Sequence, residues 1–205
     1  MTTEPDWLKY AKKIQAIAQA GLAYSKDKFD IERFQQLLEI SAEIFSRHTN
    51  IGRQTVIDIF QKESGYPTPK IDVRAVVFQD EKILLVREKI DGKWALPGGW
   101  ADSHLSIREN LIKEAKEEAG ATIKPLKIIA IHDRKKHNQP PLPHGVYKIF
   151  VLCELLKFEF KANIETAEAG FFDREKLPDL SLGRNSIEQI EICFNAKAGD
   201  PVIFD

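Results

Sequence analysis

The sequence predicts an α+β protein whose first third is helical. Three observations carry that prediction. Residues 1–63 repeat their apolar side chains at helical spacing, Ser64-Gly-Tyr-Pro-Thr-Pro-Lys70 breaks the pattern with a glycine and two prolines, and the rest alternates strand-like runs with one inserted acidic helix. At 205 residues the chain has room for a large domain with a smaller companion. The break divides it into a helical domain, 1–65, and a second domain, 66–205.

Leu8, Ala11, Ile14, Ala18 and Leu22 make the apolar stripe of a first helix, widened by Trp7, Tyr10 and Ile17. Asp30 is placed to cap a second, whose face is Ile31, Phe34, Leu38 and Phe45 with Leu37 and Ile44 beside it. A third runs from Gln54 to Lys62 and carries Val56, Ile57 and Phe60. Three helices of this size cannot hide all that surface among themselves, so they are expected to pack on the rest of the chain or on a second copy, as a homodimer.

After the break, 71–78 and 82–88 read as a hairpin around the turn Gln79-Asp80-Glu81. Trp94-Ala95-Leu96 is a short strand ending at Pro97-Gly98-Gly99, and residues 106–119 are helical. Residues 127–133 and 146–156 are strands, 169–173 a last one, and Ser186 to Phe194 a closing helix with Ser186 and Gln189 spaced as a capping box.

Composition excludes several classes. Thirty Lys plus Arg against 31 Asp plus Glu leave −1, and the helical third is itself balanced, so no electrostatic footprint favours nucleic acid or a membrane surface. No apolar run reaches the ~20 residues of a membrane span, and the N-terminus has no signal-like core, which makes the cytoplasm the default location. Two cysteines forty residues apart, Cys153 and Cys193, form neither a disulfide framework nor a zinc motif and are expected as reduced, buried thiols.

The segment Leu96 to Gly120 carries the chemistry. Ser106 caps its helix with Glu109 reaching back, and Leu111, Ile112, Ala115 and Ala119 form the apolar face. Glu114 and Glu118 are one turn apart, with Glu117 adjoining them. Such a row costs a few tenths of a kcal/mol per pair in repulsion. Taken alone, the helix is better explained as a solvated surface face, since Lys113 is spaced at i,i+4 from both Glu109 and Glu117. The preceding Pro97-Gly98-Gly99 turns the balance: glycines let the backbone approach a ligand and turn through φ > 0. The Gly98 carbonyl and the carboxylates of Glu114, Glu117 and Glu118 are then candidate ligands of Mg²⁺ held over a pyrophosphate.

This segment resembles the Nudix box: a glycine, five residues, Glu, seven residues, then Arg-Glu-apolar-x-Glu-Glu-x-Gly. Gly99 is the first glycine; Glu114, Glu117, Glu118 and Gly120 fall on the helix carboxylates and last glycine. The resemblance implies a mixed-sheet α/β/α sandwich and a catalytic Mg²⁺ or Mn²⁺ on those glutamates. The helical first third, YPTPKIDVRAVVF, DRKKHNQPP, VYKIFVLCELL and LSLGRN resemble a subgroup acting on nucleoside diphosphates linked to another moiety, ADP-ribose or CDP-choline. Two positions depart from the box. Its first glutamate is Leu105 and its arginine is Lys113, a pair that in the family supports the box. Leu105→Glu is therefore expected to raise activity or metal affinity.

Substrate contacts are sought among cations and the glycine bend. Arg74 and Arg87, on the hairpin strands, are either phosphate forks or outward surface charges. Arg134 and His137 belong to a basic loop stiffened by prolines, covering phosphates or merely solvated, and Gly99 lies in the bend. Trp100 is read as packing, and Glu165 and Glu168 as weaker base candidates than Glu117 or Glu118. The scattered His48, His132 and His144 support no His-based metal site. The reading is hydrolysis of a small nucleoside diphosphate linked to another moiety, ADP-ribose first, with catalytic Glu117 and Glu118. The alternatives are a catalytically weakened nucleotide sensor and cleavage of RNA 5′ ends.

Overall fold

The computed structural model describes residues 5–61, 65–196 and 200–205. The chain forms two compact units, residues 1–69 with 141–145 and residues 70–140 with 146–205.

The first unit contains α1 (Asp6–Tyr24), α2 (Lys28–His48) and α3 (Arg53–Gln61). Leu8, Ala11, Ala18, Leu38, Ala42, Phe45, Val56 and Phe60 make its core. The buried stripe is narrower than the sequence reading, because Tyr10 and Ile17 face solvent. The cap of α2 is Asp27 rather than Asp30: the Asp27 side chain accepts from the amides of Phe29 and Asp30, which places Asp30 inside the first turn. Lys62, the expected end of the third helix, lies outside the described residues.

The second unit is built on a mixed sheet of β1 (Lys70–Gln79), β2 (Lys82–Glu88), β3 (Trp94–Ala95), β4 (Ala121–Asp133), β5 (Val146–Phe158), β6 (Thr166–Phe172) and β7 (Ile203–Phe204). The order is β3-β2-β1-β5-β4-β7, with β6 paired to β2. Asp80 and Glu81, both at positive φ, make the tight turn between β1 and β2. Alternation along the strands sends Val73, Ala75, Val77, Ile149 and Val151 to one face, where Leu111, Ala115 and Ala119 of α4 (Ile107–Ala119) cover them. Val76, Ile129 and Phe150 go to the other, under Ile190 and Cys193 of α6 (Ile187–Asn195). The result is an α/β/α sandwich. Both predicted capping boxes form, Ser106 with Glu109 and Ser186 with Gln189.

Four elements differ from expectation, the first being β6, which begins at Thr166 rather than at residue 169. β4 begins six residues earlier than the predicted strand, because Pro125 and three register irregularities against β5 break its alternation without ending the pairing. The basic loop starts as a helical turn, α5 (Arg134–His137), capped by Asp133. β7, not foreseen, runs parallel to β4. Cys153 and Cys193 are free and buried. No described helix is long and apolar enough to cross a membrane.

Candidate active site

The site forms where β1, the bend after β3 and α4 meet. The carbonyls of Pro97 and Gly99 accept from the amides of Ala75 and Val73 at 2.9 Å each, which lays the bend along β1. Gly98 lies between them at φ 135°, and a Cβ there would be 2.0 Å from the Val73 carbonyl oxygen. Only glycine fits. A Cβ on Gly99 would sit 3.3 Å from Glu114 Oε2, so the bend and the acidic helix are in near contact.

The other end of α4 is fastened as closely. Gly120 adopts the left-handed conformation that ends the helix. Asn163 donates to the Glu117 carbonyl at 2.8 Å and Thr166 to the Glu118 carbonyl at 2.7 Å. The backbone that carries both glutamates is thereby fixed against β6.

Glu118 points inward and is 5% exposed. Its Oε2 accepts the Gly98 amide proton at 2.7 Å. Burial pushes its carboxyl up to about 7; Arg74 and the Gly98 amide oppose this, while Glu88 and Glu114 add to it. Glu114 is also held above the ordinary carboxylate range, first by burial, with Lys113 opposing and Glu117 and Glu165 reinforcing. Glu88, buried at the end of β2, is raised by burial against the pull of Arg184, which meets it at 2.9 and 3.0 Å. Glu117 is exposed and lies 3.2 Å from the Lys113 ammonium.

Arg74 is not on an outward face. It is 2% exposed, and its guanidinium forks onto both oxygens of Asp72 at 2.8 Å while also donating to the Leu96 carbonyl at 3.0 Å. Lys148, equally buried, donates to the same Asp72 at 2.9 Å. Burial acts to raise the Asp72 carboxyl, but the two cations overcome it and hold the group low. A ladder of buried charge thus runs from Lys148 through Asp72 and Arg74 to Glu118.

The remaining candidates are dispersed. Arg87 pairs with Glu168, its neighbour across the β2–β6 ladder. Arg134 is buried and donates to the carbonyls of Pro140 and Gly183, so it is no solvated loop tip. His137 bonds Asp205 and stacks on buried His132 at 4.0 Å. Among the described residues no hydrogen bond or ion pair joins Arg134 or His137 to the glutamates of α4. Sequence reading missed Asp72, Lys148, Glu88, Arg184, Asn163 and Thr166. The only signal for the first two was a charge at an inward position of an otherwise apolar strand.

Hard oxygen donors side by side on one helix edge, with the carboxyls of Glu114 and Glu118 both held above the ordinary range by burial, make a donor set that suits a divalent cation. Among the described residues no three His, Cys, Asp or Glu side chains are gathered into a finished metal cage. Glu114 and Glu117 are drawn to Lys113, and Glu118 to the Gly98 amide.

Comparison with known proteins agrees with this geometry. Residues 5–60 match a UDP-X-like, N-terminal oligomerisation domain, and residues 68–191 match the NUDIX domain. The chain is 46% identical over 189 residues to YjhB of Bacillus subtilis (strain 168), provisionally named an ADP-ribose pyrophosphatase, with 92% of this chain and 91% of that one covered. A crystal structure of an ADP-ribose pyrophosphatase from Streptococcus suis 89-1591 shares 46% identity, with a TM-score of 0.62 over 67% of this chain and all of that one. A crystal structure of UDP-X diphosphatase covers 98% of both chains at 34% identity and a TM-score of 0.64. With the box glycine, the acidic helix and the sandwich that joins them all in place, the chain belongs to the Nudix hydrolases and is a pyrophosphatase of that family.

Proposed function

We propose that the chain hydrolyses the pyrophosphate bond of a nucleoside diphosphate linked to another moiety, ADP-ribose first and CDP-choline next, with Mg²⁺ or Mn²⁺ as cofactor. The observation that carries this reading is the Glu118 carboxylate, buried yet aimed at the glycine bend beside Glu114. Support for the substrate comes from the ADP-ribose pyrophosphatases among the relatives, including one from Methanocaldococcus jannaschii at 30% identity over 125 residues.

Glu114, Glu118 and the Gly98 carbonyl would hold the cation, with Glu117 as a further ligand or the base. Once bound, the cation supplies neutralisation of phosphate charge. In the base role Glu117, the most solvent-accessible of the three carboxylates, accepts a proton from the attacking water. The water oxygen bonds to one phosphorus as that atom's bond to the bridging oxygen breaks. ADP-ribose then yields AMP and ribose 5-phosphate. Arg74 acts as a positioning residue that keeps Glu118 and Leu96 in register, while Gly99, Arg87, Arg134 and His137 remain candidates for substrate contact.

Residues 1–65 form the domain we assign to assembly and 66–205 the catalytic one. A homodimer through the N-terminal helices is supported by the oligomerisation-domain match and by exposed Tyr10, Ile17, Tyr24 and Ile40. Two buried reduced thiols accord with a cytoplasmic location. The test is Glu118→Gln assayed on ADP-ribose and CDP-choline with Mg²⁺ and with Mn²⁺. A loss of about a hundredfold or more is expected on the preferred substrate; near-parent turnover on both removes the reading.

A further inference from the structure

The ammonium of Lys113 sits among three carboxylates. It is 3.2 Å from Glu114 Oε1, 3.2 Å from Glu117 Oε2 and 3.4 Å from Asp102 Oδ2. The first two belong to the edge assigned above to the divalent cation. The third does not: Asp102 lies in the loop between the glycine bend and α4. Its backbone is pinned, because its amide donates to Asn110 Oδ1 at 2.8 Å and its carbonyl accepts from Asn110 Nδ2 at 3.2 Å. Asn110 is fully buried and also ties down the carbonyls of Leu105 and Ser106. Asp102 is therefore a fixed anion beside a mobile cation on a four-carbon stem.

The local charges sum in an informative way. Asp102, Glu114 and Glu117 with one ammonium leave −2, and Glu118 on the same edge brings the total to −3, so the surplus negative charge favours a divalent cation even with the lysine present. A lysine held on Glu114 and Glu117 opposes that cation directly. The same lysine held on Asp102 leaves both glutamates to it.

We infer that Lys113 is a resident counter-ion that competes with the divalent cation for Glu114 and Glu117, and that Asp102 is the positioning residue that keeps the ammonium aside once the cation is bound. The inference rests on the reading of the acidic edge as a cation site. It differs from an ordinary surface ion pair in sign. If the pairs merely held the loop together, loss of either partner would weaken cation binding. Here the two losses act in opposite directions.

The experiment is titration of the metal-free, full-length protein with Mn²⁺ in the absence of substrate, following the free-ion paramagnetic resonance signal, with thermal unfolding of each variant alongside to show that it is folded. Lys113→Gln is expected to bind Mn²⁺ about three- to tenfold more tightly, the scale of removing one half-exposed cation from beside a divalent ion. Asp102→Asn is expected to bind about as much more weakly, and the double variant to follow Lys113→Gln. Lys113→Arg, which keeps the charge, stays near the parent. Unchanged or weakened binding in Lys113→Gln overturns the inference, as does an Asp102→Asn variant indistinguishable from the parent. If the parent takes up no Mn²⁺ in the millimolar range, the cation reading itself falls, and this inference with it.

Discussion

Gly98 and Glu118, twenty residues apart, are joined by a 2.7 Å hydrogen bond in which the glycine amide donates to a buried carboxylate. The bond links the two halves of the box, the bend that approaches β1 and the helix that carries the acids. It also places the most deeply buried glutamate of the helix against a backbone unit that only glycine can supply.

Gly98→Ala should therefore be among the most damaging single changes in this unit. The new methyl would meet the Val73 carbonyl oxygen at 2.0 Å, at a φ of 135° that side chains avoid. A cost of about 3 kcal/mol or more is expected, since a clash with backbone cannot be relieved by a rotamer change. Urea denaturation at neutral pH measures it. A variant with the parental midpoint and activity would show that the bend can shift freely.

Much of this was legible in the sequence. The glycine pair, the capping box at Ser106 and the one-turn spacing of Glu114 and Glu118 are local patterns, and local patterns survive in a linear reading. Most of what escaped depends on long-range pairing. Asp72 and Lys148 meet because β1 and β5 lie parallel in a register that sets these two residues opposite one another. Arg184 reaches Glu88 across 96 positions. Arg74 looked like either a phosphate fork or a surface charge, because its buried partner is another strand residue of the same face. The pattern of β4 looks shorter than the strand for a related reason: Pro125 interrupts it while β5 supplies the missing order.

The raised carboxyl of Glu118 makes a prediction about stability against pH. A group whose folded pKa exceeds its unfolded value binds its proton more tightly in the folded state, so its contribution is complete below the unfolded value and declines as pH rises through the folded one. For Glu118 that window runs from 4.5 up to about 7. The metal-free protein should lose about 3 kcal/mol across it from this residue, an order-of-magnitude figure from the shift. Glu118→Gln keeps an acceptor for the Gly98 amide and carries no charge. It should be more stable than the parent at pH 8 and similar at pH 4.5, as read by thermal unfolding in a chelator. Equal stabilities at pH 8 would mean that the carboxylate is solvated in the folded protein.

The ladder from Lys148 through Asp72 to Arg74 is expected to be brittle. Asp72→Asn removes the carboxylate that Lys148 and Arg74 share and leaves two buried cations facing each other. Breaking one partner of a buried pair costs about 3–5 kcal/mol. Arg74 would also lose the fork that aims it, so turnover should fall beyond what lost folding explains. Equilibrium unfolding and the rate per folded molecule separate the two effects. An active, fully stable Asp72→Asn protein would show that the ladder does not position the site.

Leu105 stands where the family box has its first glutamate, and the sequence alone predicts that Leu105→Glu raises activity or metal affinity. The structure alters that expectation. Asp102 already faces Lys113 at 3.4 Å, and the Leu105 amide donates to the Asp102 carbonyl at 3.1 Å, so the loop is closed on itself with a carboxylate in place. A second carboxylate would add a charge to a lysine that already has three acceptors, and half-exposed pairs of this kind contribute little each. The expected change in Mn²⁺ affinity and in turnover is under about twofold, within the range of one exposed ion pair. In an Asp102→Asn background the same substitution should recover most of the lost affinity, because the lysine regains an anion outside the helix edge. A large gain from Leu105→Glu in the parent would instead mean that Asp102 does not fill the vacancy left at position 105.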